Sequence, residues 1–271
     1  MNANVRVKRQ RNGCTIFSNV HTSLSMVKLA ETGNLRAYVD WSGQDVPFEY
    51  SDPEASERFG PNMWDWYFEQ PHGLTGSEPM VDTWVFDKIS SPHYFTFDVC
   101  TPEDLTFKRS IIPRLLRPLE SGRRLAEGLF DEYNVDPSKT ISVQYRGNDS
   151  LHDPYRPASH QKSLMDHEDM ITGLLVKYPD HKIWIQSDDL GVIEKFRERF
   201  PGSLTIKYFL SIPHNAGKYS DQLSTKSGYH RGLDAVAMMI MFSMCSVMVK
   251  SISNLAEIAA SLSTGEIIHI P

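Results

Sequence analysis

The sequence predicts an α/β protein whose second half is a doubly wound parallel sheet. Three observations predict it. From Thr140 onward five short strand-like runs alternate with helical patterns. A strand, helix and strand follow one another near the amino end. The residues directly after several predicted strands are small, polar or charged.

In chain order, Cys14 to Phe17 reads as a short strand. Ser18 to Gly33 carries Val20, Leu24, Val27 and Leu29 near helical spacing and ends on a glycine. Leu35 to Val39 reads as the next strand, closed by Asp40 and Trp41. Such a βαβ unit brings a parallel sheet. Residues 42 to 82, rich in Pro, Gly, acidic and aromatic residues, read as a long loop holding Trp64, Trp66, Tyr67 and Phe68. Its tryptophans either pin the loop to its domain or stack on a sugar. Ile111 to Tyr133 is basic and amphipathic and ends in the turn signal Asn134-Val135-Asp136-Pro137, where a domain boundary is placed: 1–135 and 136–271. Beyond it, strands are expected at Thr140–Tyr145, Lys182–Gln186, Leu204–Phe209, Ser246–Lys250 and Glu266–Ile270. Helices are expected at His167–Tyr178, Leu190–Phe200, His230–Ser243 and Asn254–Ser263.

Composition bounds the function. The chain has 271 residues, 40% hydrophobic and 23% charged, and a mean hydropathy of -0.37, which excludes disorder, collagen-like repeats and coiled coil. A formal charge of -6 argues against nucleic acid as a partner. Cys14, Cys100 and Cys245 are too few and scattered for a disulfide framework or zinc cluster. The basic residues Arg6, Lys8, Arg9 and Arg11 precede no apolar secretory core, and the most apolar stretch, Leu233 to Val249, is interrupted by polar residues and short of the roughly 20 needed to span a bilayer. No membrane span and a cytoplasmic location are expected.

Ligands of doubly wound sheets sit beyond the carboxyl ends of the strands. Arg146-Gly147-Asn148-Asp149 follows the strand ending at Tyr145. Ser187-Asp188-Asp189 follows the next, and Ser251-Ile252-Ser253-Asn254 opens a helix after Lys250. An arginine for a phosphate pair, a helix start with hydroxyls for phosphate oxygens and carboxylates for sugar hydroxyls are what a nucleotide diphosphate needs in a site without a metal. Each residue also has an ordinary use: Ser and Asn cap helices, and Asp188 could cap the helix starting near Leu190. No Asp-x-Asp triplet, Gly-x-Gly-x-x-Gly turn, Walker lysine loop or Gly-x-Ser-x-Gly elbow occurs. His160, His167, Glu168 and Asp169 fit no standard metal spacing, and Met238, Met239, Met241 and Met244 read as core.

Val143 to Asp149 resembles the His-x-Arg-x-x-Asp motif of the fucosyltransferase superfamily, which includes α1,6-, α1,2- and nodulation fucosyltransferases and protein O-fucosyltransferases. Trp184 to Asp189 is similar to their strand ending in Thr/Ser-Asp-Asp. Asp234 to Ser253 is similar to their helix, strand and serine-led last helix. Phe17-Ser18-Asn19, Tyr38-Val39-Asp40 and Trp66-Tyr67-Phe68-Glu69 are similar to their acceptor-side half. The resemblance implies a GT-B-like fold, two Rossmann-like domains with parallel sheets facing across a cleft, the first on the acceptor side and the second binding the nucleotide-sugar. It implies inverting, metal-independent transfer of fucose from GDP-fucose to a glycan hydroxyl, with no cofactor beyond the donor. Arg146 would hold the β-phosphate, and Ser251, Ser253 and Asn254 at the last helix would take other phosphate oxygens. Asp188, Asp189 and Asp234 fall to the nucleoside side. Asp149 would position Arg146 or its loop, and Asp153, beside His152 and with Glu168 further along, stands where such enzymes carry a base. Two positions depart: the motif's His is Gln144, and a second Arg found in some members is Gly147. Another nucleotide-activated sugar as donor, or a catalytically silent glycan- or nucleotide-binding protein, are the alternatives. An enzyme of this length with no stem or anchor would fit a bacterial or viral cytoplasm.

Overall fold

The computed structural model describes residues 3–9, 16–42, 52–86, 101–145, 164–187, 189–206, 226–251 and 253–270. The chain divides into two compact units, Met1–Leu125 with Lys226–Met238, and Ala126–Thr225 with Met239–Pro271.

Unit 1 holds a three-stranded parallel sheet of β1 (Asn4–Arg9), β2 (Arg36–Asp40) and β3 (Met80–Phe86), in the order β2-β1-β3. The first strand therefore lies ahead of the expected one. Residues 14 and 15 fall outside the described residues, and Ile16 and Phe17 already belong to α1 (Ile16–Thr32). In β1 the alternation is Val5 and Val7 inward, fully buried, against Arg6 and Lys8 at half-buried positions. α1 buries most of its length, including Val20, Leu24 and Val27.

From residue 52 on, the stretch read as one loop is structured. It contains α2 (Pro53–Phe59), a 3-10 turn at Met63–Trp66 and then β3. Trp64 is fully buried and Trp66 nearly so; their indole N–H groups donate to the Glu69 and Gly60 carbonyls. Both tryptophans thus pin their segment rather than present a face to a ligand. The stretch Ile111 to Tyr133 is two helices, α3 (Pro102–Leu115) and α4 (Glu120–Glu132). They are parted around Pro118, where Phe68 and Pro118 form an antiparallel bridge and Leu119 N–H donates to Tyr67 at 2.8 Å.

Outer strand β2 is finished by side chains. Gln70 accepts from Val39 N–H at 2.8 Å and donates back to its carbonyl at 2.9 Å. His72 Nδ1 accepts from Ala37 N–H at 2.7 Å, and Asn62 accepts from Trp41 N–H at 2.7 Å while donating to the Val39 carbonyl. With Nδ1 an acceptor, the ring proton sits on Nε2, 3.2 Å from Glu31 Oε1.

The first part of α7 (Gly228–Met244) belongs to unit 1. Tyr229 stacks on Tyr67 with ring centroids 5.8 Å apart and on Phe59 at 5.1 Å. Asp52 caps α2 through Ala55 N–H and also accepts from Tyr229 N–H at 3.1 Å. Gly232 lets Tyr67 approach, since a Cβ there would stand 2.2 Å from the phenolic oxygen.

Unit 2 carries the four-stranded parallel sheet β5-β4-β6-β7, with β4 (Thr140–Tyr145), β5 (Lys182–Ser187), β6 (Val247–Lys250) and β7 (Glu266–His269). Leu204 pairs in parallel with Trp184 outside β5, at the start of the strand expected at Leu204–Phe209; residues 207–209 lie outside the described residues. Ile141, Val143, Ile183 and Ile185 pack with Ile171 and Leu174 of α5 (Glu168–Lys177) and with Ile193 and Phe196 of α6 (Leu190–Arg199). Trp184, one residue out of phase, stacks on Phe242 at 4.4 Å and meets Phe130 edge-on. Helices on both faces make the sheet doubly wound, as its apolar patterning predicts. α8 (Asn254–Leu262) links β6 to β7.

Candidate functional site

The strand order of unit 2 reverses between β4 and β6, because the chain leaves β4 for β5 on one side and returns to β6 on the other. A crevice for a ligand belongs at the carboxyl ends of those two strands. The β4 end is Gln144 and Tyr145, directly before Arg146; the β6 end is Lys250 and Ser251. Ser251 N–H donates to the Gln144 carbonyl at 3.0 Å, and its hydroxyl lies 3.4 Å from Gln144 Oε1. Gln144, the departure from the histidine motif, thereby ties the two strand ends together.

Two residues on, Ser253 caps α8 from extended backbone, and its Oγ accepts from Ala256 N–H at 3.1 Å. Its carbonyl accepts from Glu257 N–H. The cap uses an oxygen lone pair and leaves the hydroxyl hydrogen able to donate. The amides of Asn254 and Leu255 are those a helix cannot satisfy from within, so the helix start offers N–H donors and the positive dipole end to an anion. Ser251, Ser253 and Asn254 are thus gathered at one strand end.

Asp189 stands at the carboxyl end of β5. Its Oδ1 caps α6, accepting from Gly191 N–H at 2.9 Å and from Val192 N–H at 3.4 Å, while Ser187 Oγ accepts from Asp189 N–H. Asp234 belongs to the unit 1 part of α7 and pairs with Lys226 at 2.5 Å. Arg146, Asp149, Asp153 and Asp188 lie outside the described residues.

The structure adds two residues that the sequence reading passed over. Lys250 and Glu257 are both fully buried and form an ion pair, with Lys250 Nζ also 3.3 Å from His269 Nδ1. A lysine closing the run Val247-Met248-Val249 and a glutamate inside Leu255-Ala256-Ile258-Ala259 are charges in apolar segments, and that pattern was their signal.

Unit 1 has its own polar cluster. Asp65 accepts from Gln70 at 2.6 Å and Asn62 at 2.9 Å, with the Tyr38 hydroxyl at 3.5 Å. Burial pushes the Asp65 carboxyl above its ordinary range against those hydrogen bonds, and burial followed by the Asp65 charge raises Tyr38. Among the described residues no group of three or more His, Cys, Asp or Glu is arranged to hold a metal ion, and no helix is long and apolar enough to cross a membrane.

No protein-family model matches the sequence, and no curated protein matches it. Solved structures do match. A fucosyltransferase NodZ from Bradyrhizobium superposes with a TM-score of 0.52 at 16% identity, covering 97% of this chain and 94% of that one. A structure of POFUT1 in complex with GDP superposes with a TM-score of 0.55 at 10% identity over 99% of this chain and 98% of that one. FUT1 of Arabidopsis thaliana in complex with GDP gives 0.53 at 12% identity, over 98% of this chain and 70% of that one. The chain has the GT-B-like α/β fold of these proteins, with two parallel sheets.

Proposed function

We propose that the chain is an inverting, metal-independent glycosyltransferase that moves fucose from GDP-fucose to a glycan hydroxyl. The observation that carries this reading is the construction of the unit 2 switch point, where Ser251 bonds the end of β4 just before Arg146 and Ser253 and Asn254 open α8 two and three residues on. Proteins of the same fold that support it include a NodZ α-1,6-fucosyltransferase soaked with GDP-fucose and POFUT1 in complex with GDP-fucose.

In this reading the acceptor oxygen attacks the anomeric carbon as the bond to the β-phosphate oxygen breaks. Asp153 takes the hydroxyl proton and GDP leaves with the bonding electron pair. Arg146 and the amides of the α8 start neutralise the charge that builds on the diphosphate, the work a divalent ion performs in Asp-x-Asp enzymes. Asp149 positions Arg146, and Asp188, Asp189 and Asp234 serve the nucleoside. Residues 1–135 supply the acceptor side and 136–271 the donor side, in the cytoplasm.

Thermal unfolding with GDP, UDP, ADP or CMP, each with EDTA or Mg²⁺, tests the donor. A nucleotide at 100 times its Kd stabilises by about 2.7 kcal/mol, or roughly 5–10 °C for this size. The expected result is a shift with GDP that EDTA leaves intact. A shift with UDP instead replaces the donor, and no shift with any nucleotide rejects the reading. Arg146→Ala is expected to lower kcat by about 10²–10³. GDP binding without measurable transfer to any glycan would favour a silent nucleotide-binding protein.

A further inference from the structure

The Lys250–Glu257 pair connects the two elements on which Ser251, Ser253 and Asn254 are hung and has no part in the transfer chemistry. Lys250 is the last residue of β6, Ser251 follows it, and Glu257 stands in the first turn of α8. Both side chains are wholly shielded from water. The pair thus joins the end of β6 to the first turn of α8, the two elements that flank Ser251, Ser253 and Asn254. His269 on β7 adds a third strut at 3.3 Å from the ammonium.

Two physical consequences follow. Taking both charges out of water is costly, so an ion pair in this place is a poor way to gain stability over well-packed apolar side chains. What it does supply is direction, because the ammonium must meet its carboxylate in one geometry. A bare carboxylate in the first turn would also compete with an incoming anion for the positive end of the helix. Paired with Lys250, Glu257 leaves that end available.

We infer that Lys250 and Glu257 are positioning residues that hold Ser251, Ser253 and Asn254 in the geometry that receives the diphosphate of the nucleotide-sugar. This rests on the proposed function, and the test separates the two. The full-length double variant Lys250→Met with Glu257→Gln removes both charges at nearly constant volume. Calorimetry with GDP and with GMP, and donor kinetics, are run on it and on the wild type.

The expected double variant unfolds cooperatively. Its Kd for GDP and its KM for GDP-fucose rise about tenfold, the worth of one charge-assisted hydrogen bond. GMP binding and the acceptor KM change less than about threefold, so the preference for diphosphate over monophosphate shrinks. An unchanged GDP-to-GMP ratio overturns the inference, whether both affinities hold or both fall together. A double variant that does not fold overturns it too, since the pair would then serve the fold itself. A wild type that binds no GDP removes the reading of the site, and this role with it.

Discussion

The sheet of unit 2 runs four strands wide, packed on both faces by helices. The three-stranded sheet of unit 1 stops at β2, whose outer backbone groups are met by the side chains of Asn62, Gln70 and His72. The two sheets share parallel topology but differ in what completes them. In unit 2 apolar contact does it, through Ile141, Val143, Ile185 and Phe196, while Ser251, Ser253 and Asn254 stand past the end of β6. In unit 1 specific side-chain hydrogen bonds do it, and its polar residues are consumed as structure. A fold built by burial leaves strand ends available for ligands, whereas one built by hydrogen bonds commits them.

The five tryptophans sharpen this contrast, because Trp41, Trp64, Trp66 and Trp84 belong to unit 1 and only Trp184 to unit 2. The largest effect is expected in unit 2. Lys250→Met alone takes the ammonium counter-charge away from the buried Glu257 carboxylate and should cost about 3–5 kcal/mol; urea unfolding followed through Trp184 measures it. Stability near that of the wild type would mean that Lys250 is not what holds the Glu257 charge in place.

Next comes Asn62→Ala in unit 1. It removes one of the donors to the Val39 carbonyl and to Asp65, leaving Gln70, and the acceptor from Trp41 N–H, and should cost about 2–3 kcal/mol. In a Trp184→Phe background the loss should be read by the unit 1 tryptophans. A loss below about 0.5 kcal/mol would show that water replaces the amide and that hydrogen bonds do not complete β2.

The smallest effect concerns Glu31, held down at about 2 first by its hydrogen bond to Arg114, against the opposing cost of burial, and then by His72. A depressed carboxylate stabilises the fold above its ordinary value near 4.5, and that contribution is lost as pH falls toward about 2. Arg114 is half exposed, so solvent screening leaves about 1 kcal/mol. Glu31→Gln should therefore be less stable than the wild type by about that much at pH 6, with the gap closing through pH 4 and 3. A gap that persists at pH 2 would assign the effect to packing.

Legibility follows the same divide. The helices and strands of unit 2 lie within a residue or two of where their periodicity places them, since burial on a sheet face imposes that period. Ser251, Ser253 and Asn254 were legible as residues following a strand. β1 is not legible as a strand because Arg6, Lys8 and Arg9 mask the alternation of Val5 and Val7. Asn62, Gln70 and His72 carry no period, and their partners lie 21 to 35 residues away in the chain. The Lys250–Glu257 pair was visible only as two charges in apolar runs whose meeting depends on the turn between them.

The covered border of β2 also bears on how the protein behaves at high concentration. A bare strand border is a template on which a second chain can lay down its own strand, the usual beginning of aggregates. Here the segment holding Asn62, Gln70 and His72 occupies that template with side chains that offer no continuing ladder. Loosening it, by proteolysis between Asn62 and His72 or by removing Gln70, would uncover an adhesive strip before either unit unfolds. Turbidity would then rise ahead of any loss of Trp184 signal.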